Sequence, residues 1–211
     1  MELPSLRKEL IPFSGIFQAV DFQGPSLILV DRAMEDQPRF DGTICPVDEI
    51  ASLKPGYQTI VCFGIFDGLS KEERDARLSK AISLLGKKGT IYLAAHNRFG
   101  LSFLAGLNPG EGPLYEGLEQ GLHYSRQELL EEAKTAGLTE LRCLYPVPTY
   151  RQCITIYSDD HLPQPGEIRN LTAAIGKDRY VMFDEEKAFD HSGTAFPDVA
   201  NSFLLVGRKT K

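Results

Sequence analysis

The sequence predicts an α/β domain built on a mainly parallel sheet, and three observations carry that prediction. The uncharged interior of Thr59 to Phe66 (TIVCFGIF) is followed by an amphipathic segment and then by a second apolar run, Thr90 to Ala95 (TIYLAA). This is the strand, helix, strand order of a parallel crossover unit. The same logic recurs in Ser125 to Gly137, which precedes a strand-like run from Leu138 to Leu144. A last buried-strand run, Ser202 to Gly207 (SFLLVG), ends in a basic tip whose Lys209 and Lys211 read as a solvated tail.

Taken in order, Leu6, Leu10, Phe13 and Phe17 have helix-like spacing interrupted by Pro12, which predicts a short or broken helix closed by Gly24 and Pro25. Ser26 to Val30 (SLILV) is short, branched and apolar, hence a buried strand, and Asp31 closes it. Thr43 to Val47 is a shorter strand that Pro46 restricts to an end or an edge. Ser70 with Glu73, and Ser125 with Glu128, have capping-box spacing. Leu78, Ile82 and Leu85 share one helix face, and Gly86 and Gly89 stop that helix. Residues 146–200 are rich in Pro, Gly and Asp and too long for an ordinary loop, so they read as an insertion with a function or a subdomain of its own. Tyr145, Tyr150 and Tyr157 lie beside Pro146 and Pro148, where packing of an irregular segment is favoured over an aromatic platform for a sugar ring. Asp184 to Glu186 reads as a solvated helix start.

Composition narrows the function. The 211 residues are 42% hydrophobic and 25% charged, as in an ordinary globular domain. Lys and Arg number 23 against 29 acidic residues, a net charge of -6 that argues against a general nucleic-acid binder. No apolar run is long enough to insert in a membrane and no cleavable leader is recognised, so a cytoplasmic protein is expected. Cys45, Cys62, Cys143 and Cys153 form no CxxC pair and read as reduced packing residues; with His123, His161 and His191 scattered, no metal site is expected.

Ligands of open α/β sheets bind beyond the carboxyl ends of the strands, near the point where strand order reverses. The candidate positions are therefore Asp31, the segment at Asp48, Gly64 to Asp67, and His96 to Arg98. Asp67 could serve as a base or orient a hydroxyl, and His96 has a pKa suited to proton transfer near neutrality. Each also has a bland reading, with Asp31 and Asp67 as turn formers and His96 as a structural histidine.

From Tyr57 onward, YQTIVCFGIFDGL, then LLGKKGTIYLAAHNRFGL, then SRQELLEEAKTAGL resemble the C-terminal half of class I S-adenosylmethionine-dependent methyltransferases. More narrowly, AAHNRFGLSFLAG, YPVPTYRQCITIYSDDHLP, MFDEEKAFD and FPDVANSFLLV are similar to bacterial methyltransferase-domain proteins associated with surface-polysaccharide biosynthesis. The resemblance implies a Rossmann-like three-layer sandwich with an antiparallel last strand, acting as a transferase. It implies one domain over 1–211, with a divergent cofactor half (1–56), a core (57–145), the insertion (146–200) and a final strand and tail (201–211). It further implies S-adenosylmethionine as cofactor, with Asp31 on the ribose, Pro46 and Asp48 on the adenine side, and Phe63 and Gly64 lining the cofactor. Asp67, His96 and Asn97 would face the acceptor, a hydroxyl of a glycan or small polar metabolite. The FGIF sequence before Asp67 is unlike the Asn-Pro-Pro-aromatic signature of base-amine methylation.

One departure stands out. The family holds the methionine end of the cofactor on a glycine-rich turn after its first strand. Here Gly15, Gly24, Gly42 and Gly56 are isolated, and counting strands back from TIVCFGIF leaves no first strand, so the fold is abbreviated at its N-terminus. That keeps a second class open: a non-catalytic interaction module or subunit, whose sheet edge, unpaired for want of a strand, would invite a second copy or a partner chain.

Overall fold

The computed structural model describes residues 15–31, 41–101, 123–164, 167–168, 171–175, 179–183 and 195–210. Its strands are β1 (Ser26–Val30), β2 (Thr43–Pro46), β3 (Tyr57–Phe63), β4 (Leu85–His96), β5 (Leu138–Val147), β6 (Thr155–Ser158), β7 (Leu171–Ile175), β8 (Arg179–Phe183) and β9 (Ser202–Lys209). The α-helices are α1 (Lys71–Leu84), α2 (Arg126–Thr135) and the short α3 (Phe196–Val199). Single 3-10 turns occupy Gly15–Ala19, Val47–Ser52 and Tyr150–Gln152. The acidic run at residues 184–186 and the start of the first predicted helix lie outside the described residues.

Seven strands form one sheet in the order β2-β1-β3-β4-β9-β5-β6, and β7 pairs with β8 as a separate hairpin. Strands β2, β1, β3 and β4 are parallel, while β9 runs antiparallel between β4 and β5, as expected of the last strand. Both long helices start on the expected capping box, Ser70 with Glu73 and Ser125 with Glu128. The period-2 alternation of the strands divides the core between two faces. Leu27, Leu29, Ile60, Cys62, Leu93, Phe203 and Leu205 pack on the side of α1 and α2. Ile28, Val30, Val61, Phe63, Tyr92 and Leu204 pack on the other side, against Ile16, Val20, Tyr150 and Cys153. That second layer is made by 3-10 turns: the Gly15 amide donates to the Cys153 carbonyl at 3.0 Å, and a Cβ on Gly15 would stand 2.7 Å from that oxygen.

Three expectations change. Gly86 and Gly89 do not end α1; it ends at Leu84, and β4 takes both glycines, with a pairing irregularity between Tyr57 and Thr59. Lys209 is not a solvated tail, because its Nζ donates to the carbonyls of Ile82 and Leu85 at 3.1 and 2.8 Å, the cation stabilising the carbonyl end of α1. The segment after residue 146 contributes β6, which adds a strand to β5, and Tyr150, like Tyr145, is fully buried, as the favoured packing reading requires. Finally, among the described residues no unpaired edge marks a missing strand. β1 bonds directly to β3 in continuous register from Ser26↔Thr59 to Val30↔Phe63, and the sheet edges are β2 and β6.

Candidate functional site

Because the chain passes from β1 outward to β2 and returns beside β1 as β3, strand order reverses between β1 and β3. The crevice predicted by that reversal opens at Val30 and Phe63, the carboxyl ends of the two strands. Asp31 follows Val30, Gly64 follows Phe63 in a turn with φ +75°, and His96 ends β4. Such a φ suits glycine, and the bare Gly64 backbone lets other groups approach closely.

Asp67 is the centre of the site. Its Oδ1 accepts the His96 backbone N–H at 3.0 Å, and its Oδ2 accepts the Tyr150 hydroxyl in a short hydrogen bond. His123 Nδ1 lies 3.6 Å from Oδ1, His96 Nε2 3.9 Å from Oδ2, and Arg151 4.0 Å from Oδ2. Burial by itself would raise the Asp67 pKa. The charge of His96, the nearby His123 ring and the hydrogen bonds from Tyr150 and the His96 amide outweigh it and hold this carboxyl well below the usual carboxylate range. His96 is buried, which lowers its pKa; Arg151 and His123 add to that, against an upward pull from Asp67. An ionised carboxylate thus stands beside an imidazole that is neutral at pH 7. Burial, reinforced by Asp67, pushes the Tyr150 hydroxyl far up, so Tyr150 serves as a donor that fixes the carboxylate.

The predicted cofactor side is built differently. Asp31 Oδ2 accepts Arg151 Nη2 at 2.8 Å, with the two side chains 31% and 39% exposed. The guanidinium lies over the rings of Phe63 and Tyr150, 5.5 and 5.1 Å from their centroids, and a Cβ on Gly64 would sit 2.4 Å from Nη2. Burial opposes the Arg151 charge, but Tyr150 and Asp31 more than restore it. Phe63 is a core side chain, edge-on to Tyr150. Pro46 ends β2, and Asp48 is exposed in the first turn of the 3-10 segment after it.

Asn97 does not face the crevice. Its amide donates to the carbonyls of Asp198 and Ala200 at 2.8 and 2.7 Å and accepts from the Phe99 N–H at 3.0 Å, so a fully buried side chain is consumed in joining β4 to the α3 turn. The structure brings together Asp31, Gly64, Asp67 and His96. It adds His123, Tyr150 and Arg151, which sequence reasoning did not place in the site. The signal available for the last two was the Tyr-Arg pair after Pro146 and Pro148. Among the described residues no group of His, Cys, Asp and Glu is placed to hold a metal ion, and the four cysteines are buried and free. No helix among those residues is long and apolar enough to cross a membrane.

Comparison with solved structures decides the fold. A methyltransferase from Thermotoga maritima, described as SAM-dependent, superposes with a TM-score of 0.52 at 11% identity, over 93% of this chain and 90% of that one. The chain has the class I methyltransferase fold. A SAM-dependent methyltransferase from Archaeoglobus fulgidus gives a TM-score of 0.49 at 11% identity, over 89% of this chain and 88% of that one. No family model matches the sequence, and no curated protein does. Within the methyltransferase fold, the residues here fit the nucleoside half of an adenosyl cofactor: a carboxylate ends β1 and a bare glycine backbone ends β3. For the methionine half, the direct pairing of β1 with β3 leaves no strand and glycine turn between them.

Proposed function

We propose that the crevice between β1, β3 and β4 takes S-adenosylmethionine and that the protein methylates a hydroxyl of a glycan or small polar metabolite. The observation that carries this reading is the Asp67–His96 pair at the carboxyl edge of a methyltransferase-type sheet. Asp31 would hold the ribose, with Gly64 and Phe63 beside it and Pro46 and Asp48 toward the adenine. When bound, the cofactor supplies a methyl group on a positively charged sulfur. The chain's own contribution is to the acceptor's proton. Neutral His96 takes it as the oxygen becomes nucleophilic, and ionised Asp67 stabilises the resulting imidazolium. Tyr150 keeps the carboxylate oriented. The similarity of several segments to surface-polysaccharide methyltransferase domains supports a glycan hydroxyl as the acceptor.

The test is transfer of labelled methyl from S-adenosylmethionine to a panel of hydroxyl acceptors. His96→Gln should lower transfer by about a hundredfold or more, the usual contribution of a general base, while leaving S-adenosylhomocysteine affinity unchanged. Equal transfer by His96→Gln would remove His96 from the chemistry. A second reading, a non-catalytic module that keeps the fold, is favoured by a specific observation: β1 and β3 pair directly where the family inserts its cofactor strand. Absence of cofactor binding by the wild type and by variants of Arg151 would support it.

A further inference from the structure

Arg151, the hydrogen-bond partner of Asp31, has no role in the proposed function. Arg151 comes from the segment inserted after β5, 120 residues along the chain from Asp31, and its guanidinium lies across the crevice mouth. Three features fix it there. Its Nη2 donates to Asp31 Oδ2 at 2.8 Å; its plane lies over Phe63 and Tyr150; and it fills the space that the missing Gly64 side chain leaves. The turn that carries it is anchored from beneath, since the Tyr150 amide donates to Ser202 Oγ at 2.7 Å and Asn201 Nδ2 donates to the Pro148 carbonyl at 3.1 Å.

Resting on the reading of this crevice as a nucleoside site, we infer that Arg151 is its affinity-determining residue, an internal cation that competes with the ligand's ribose for Asp31. The vicinal hydroxyls of a ribose are neutral donors. A guanidinium bond to a carboxylate is charge-assisted and stronger than theirs, so a ribose gains Asp31 only when Arg151 leaves it. The ligand-competent state is then the fraction of molecules with Asp31 released, and the apparent affinity is reduced by that fraction. Both side chains are about a third exposed, which makes the pair weak enough to open. Asp67 is different: two donors hold it, the His96 amide and the Tyr150 hydroxyl, with His123 Nδ1 3.6 Å away, and release of Arg151 leaves those in place.

The experiment is isothermal titration of S-adenosylhomocysteine and of adenosine into wild type, Arg151→Met, Arg151→Lys, Asp31→Ala and the Arg151→Met/Asp31→Ala double variant. Each protein is first checked for a cooperative thermal transition. Methionine keeps an apolar stem over Phe63 and Tyr150, so the fold is preserved while the charge is removed. Arg151→Met should bind both ligands about tenfold more tightly than wild type, as for a competent state populated about one time in ten, with Arg151→Lys between them. The double variant should lose that gain, because the gain acts through the released carboxylate. Unchanged or weaker binding by Arg151→Met, with clear binding by wild type, would overturn the competition and leave the nucleoside site standing. Binding by none of the proteins at millimolar ligand would overturn both.

Discussion

Asp31 and Asp67 follow neighbouring strands of one sheet, yet their surroundings are opposite. Asp67 is 15% exposed and held by the His96 amide and the Tyr150 hydroxyl, two donors from two parts of the chain, with the His123 ring 3.6 Å away. Asp31 is 31% exposed and is held by Arg151. The first is part of the framework, since removing it leaves two buried donors without an acceptor. The second sits at a joint that a single side chain closes. One crevice thus combines a rigid carboxylate with an adjustable one.

The sharpest way to break this comparison is to remove each carboxylate. Asp67→Ala should cost about 3 kcal/mol in urea unfolding, through stranded buried donors and a disrupted charge cluster. Asp31→Ala should cost under about 1 kcal/mol, as for a partly exposed ion pair. Equal losses would erase the distinction.

Acid titration sharpens it further. His96 has a folded pKa below its unfolded value of about 6.5, so the unfolded chain binds the extra proton first, and stability falls as pH drops through and below 6.5. Asp67 has a folded pKa below its unfolded value of about 3.9, so its contribution is present above that pH and is lost on further acidification. His96→Gln should flatten the first fall and Asp67→Asn the second, read as unfolding midpoints across pH. Retention of both falls in the double variant would place the titrating groups elsewhere.

Smaller effects probe the frame around the crevice. Lys209→Met should cost about 1 kcal/mol by removing the cation from the α1 carbonyl end, measured as the urea midpoint. Smallest of all, Asp48→Ala should leave stability within about 0.5 kcal/mol, because the side chain is exposed, while weakening S-adenosylhomocysteine binding if this side faces adenine. Unchanged affinity would remove Asp48 from the site.

Much of the fold was legible because it is local. Branched apolar runs such as SLILV and TIYLAA, the two capping boxes, and Pro46 at an edge each carry their own signal in a few residues. The strand-end rule then led to Asp31, Asp67 and His96. What escaped is non-local. Tyr150 meets Asp67 across 83 residues and Arg151 meets Asp31 across 120, and no periodicity encodes such contacts. Asn97 misled for a related reason: it sits at a strand end, but the carbonyls that claim its amide belong to residues 198 and 200. The direct pairing of β1 with β3 was not legible either, since register between two apolar strands is set by the whole sheet and not by either run alone.

The central claim is that the β1–β3–β4 crevice binds an adenosyl ligand through Asp31. Its most direct test is isothermal titration of the wild-type protein with S-adenosylhomocysteine, run beside its thermal melt. Saturable heat with a rise in melting temperature, both lost in Asp31→Ala, is the predicted result, since a ligand that binds only the native state stabilises it by mass action. No heat and no shift at millimolar ligand, in the wild type and in Arg151→Met alike, would contradict it.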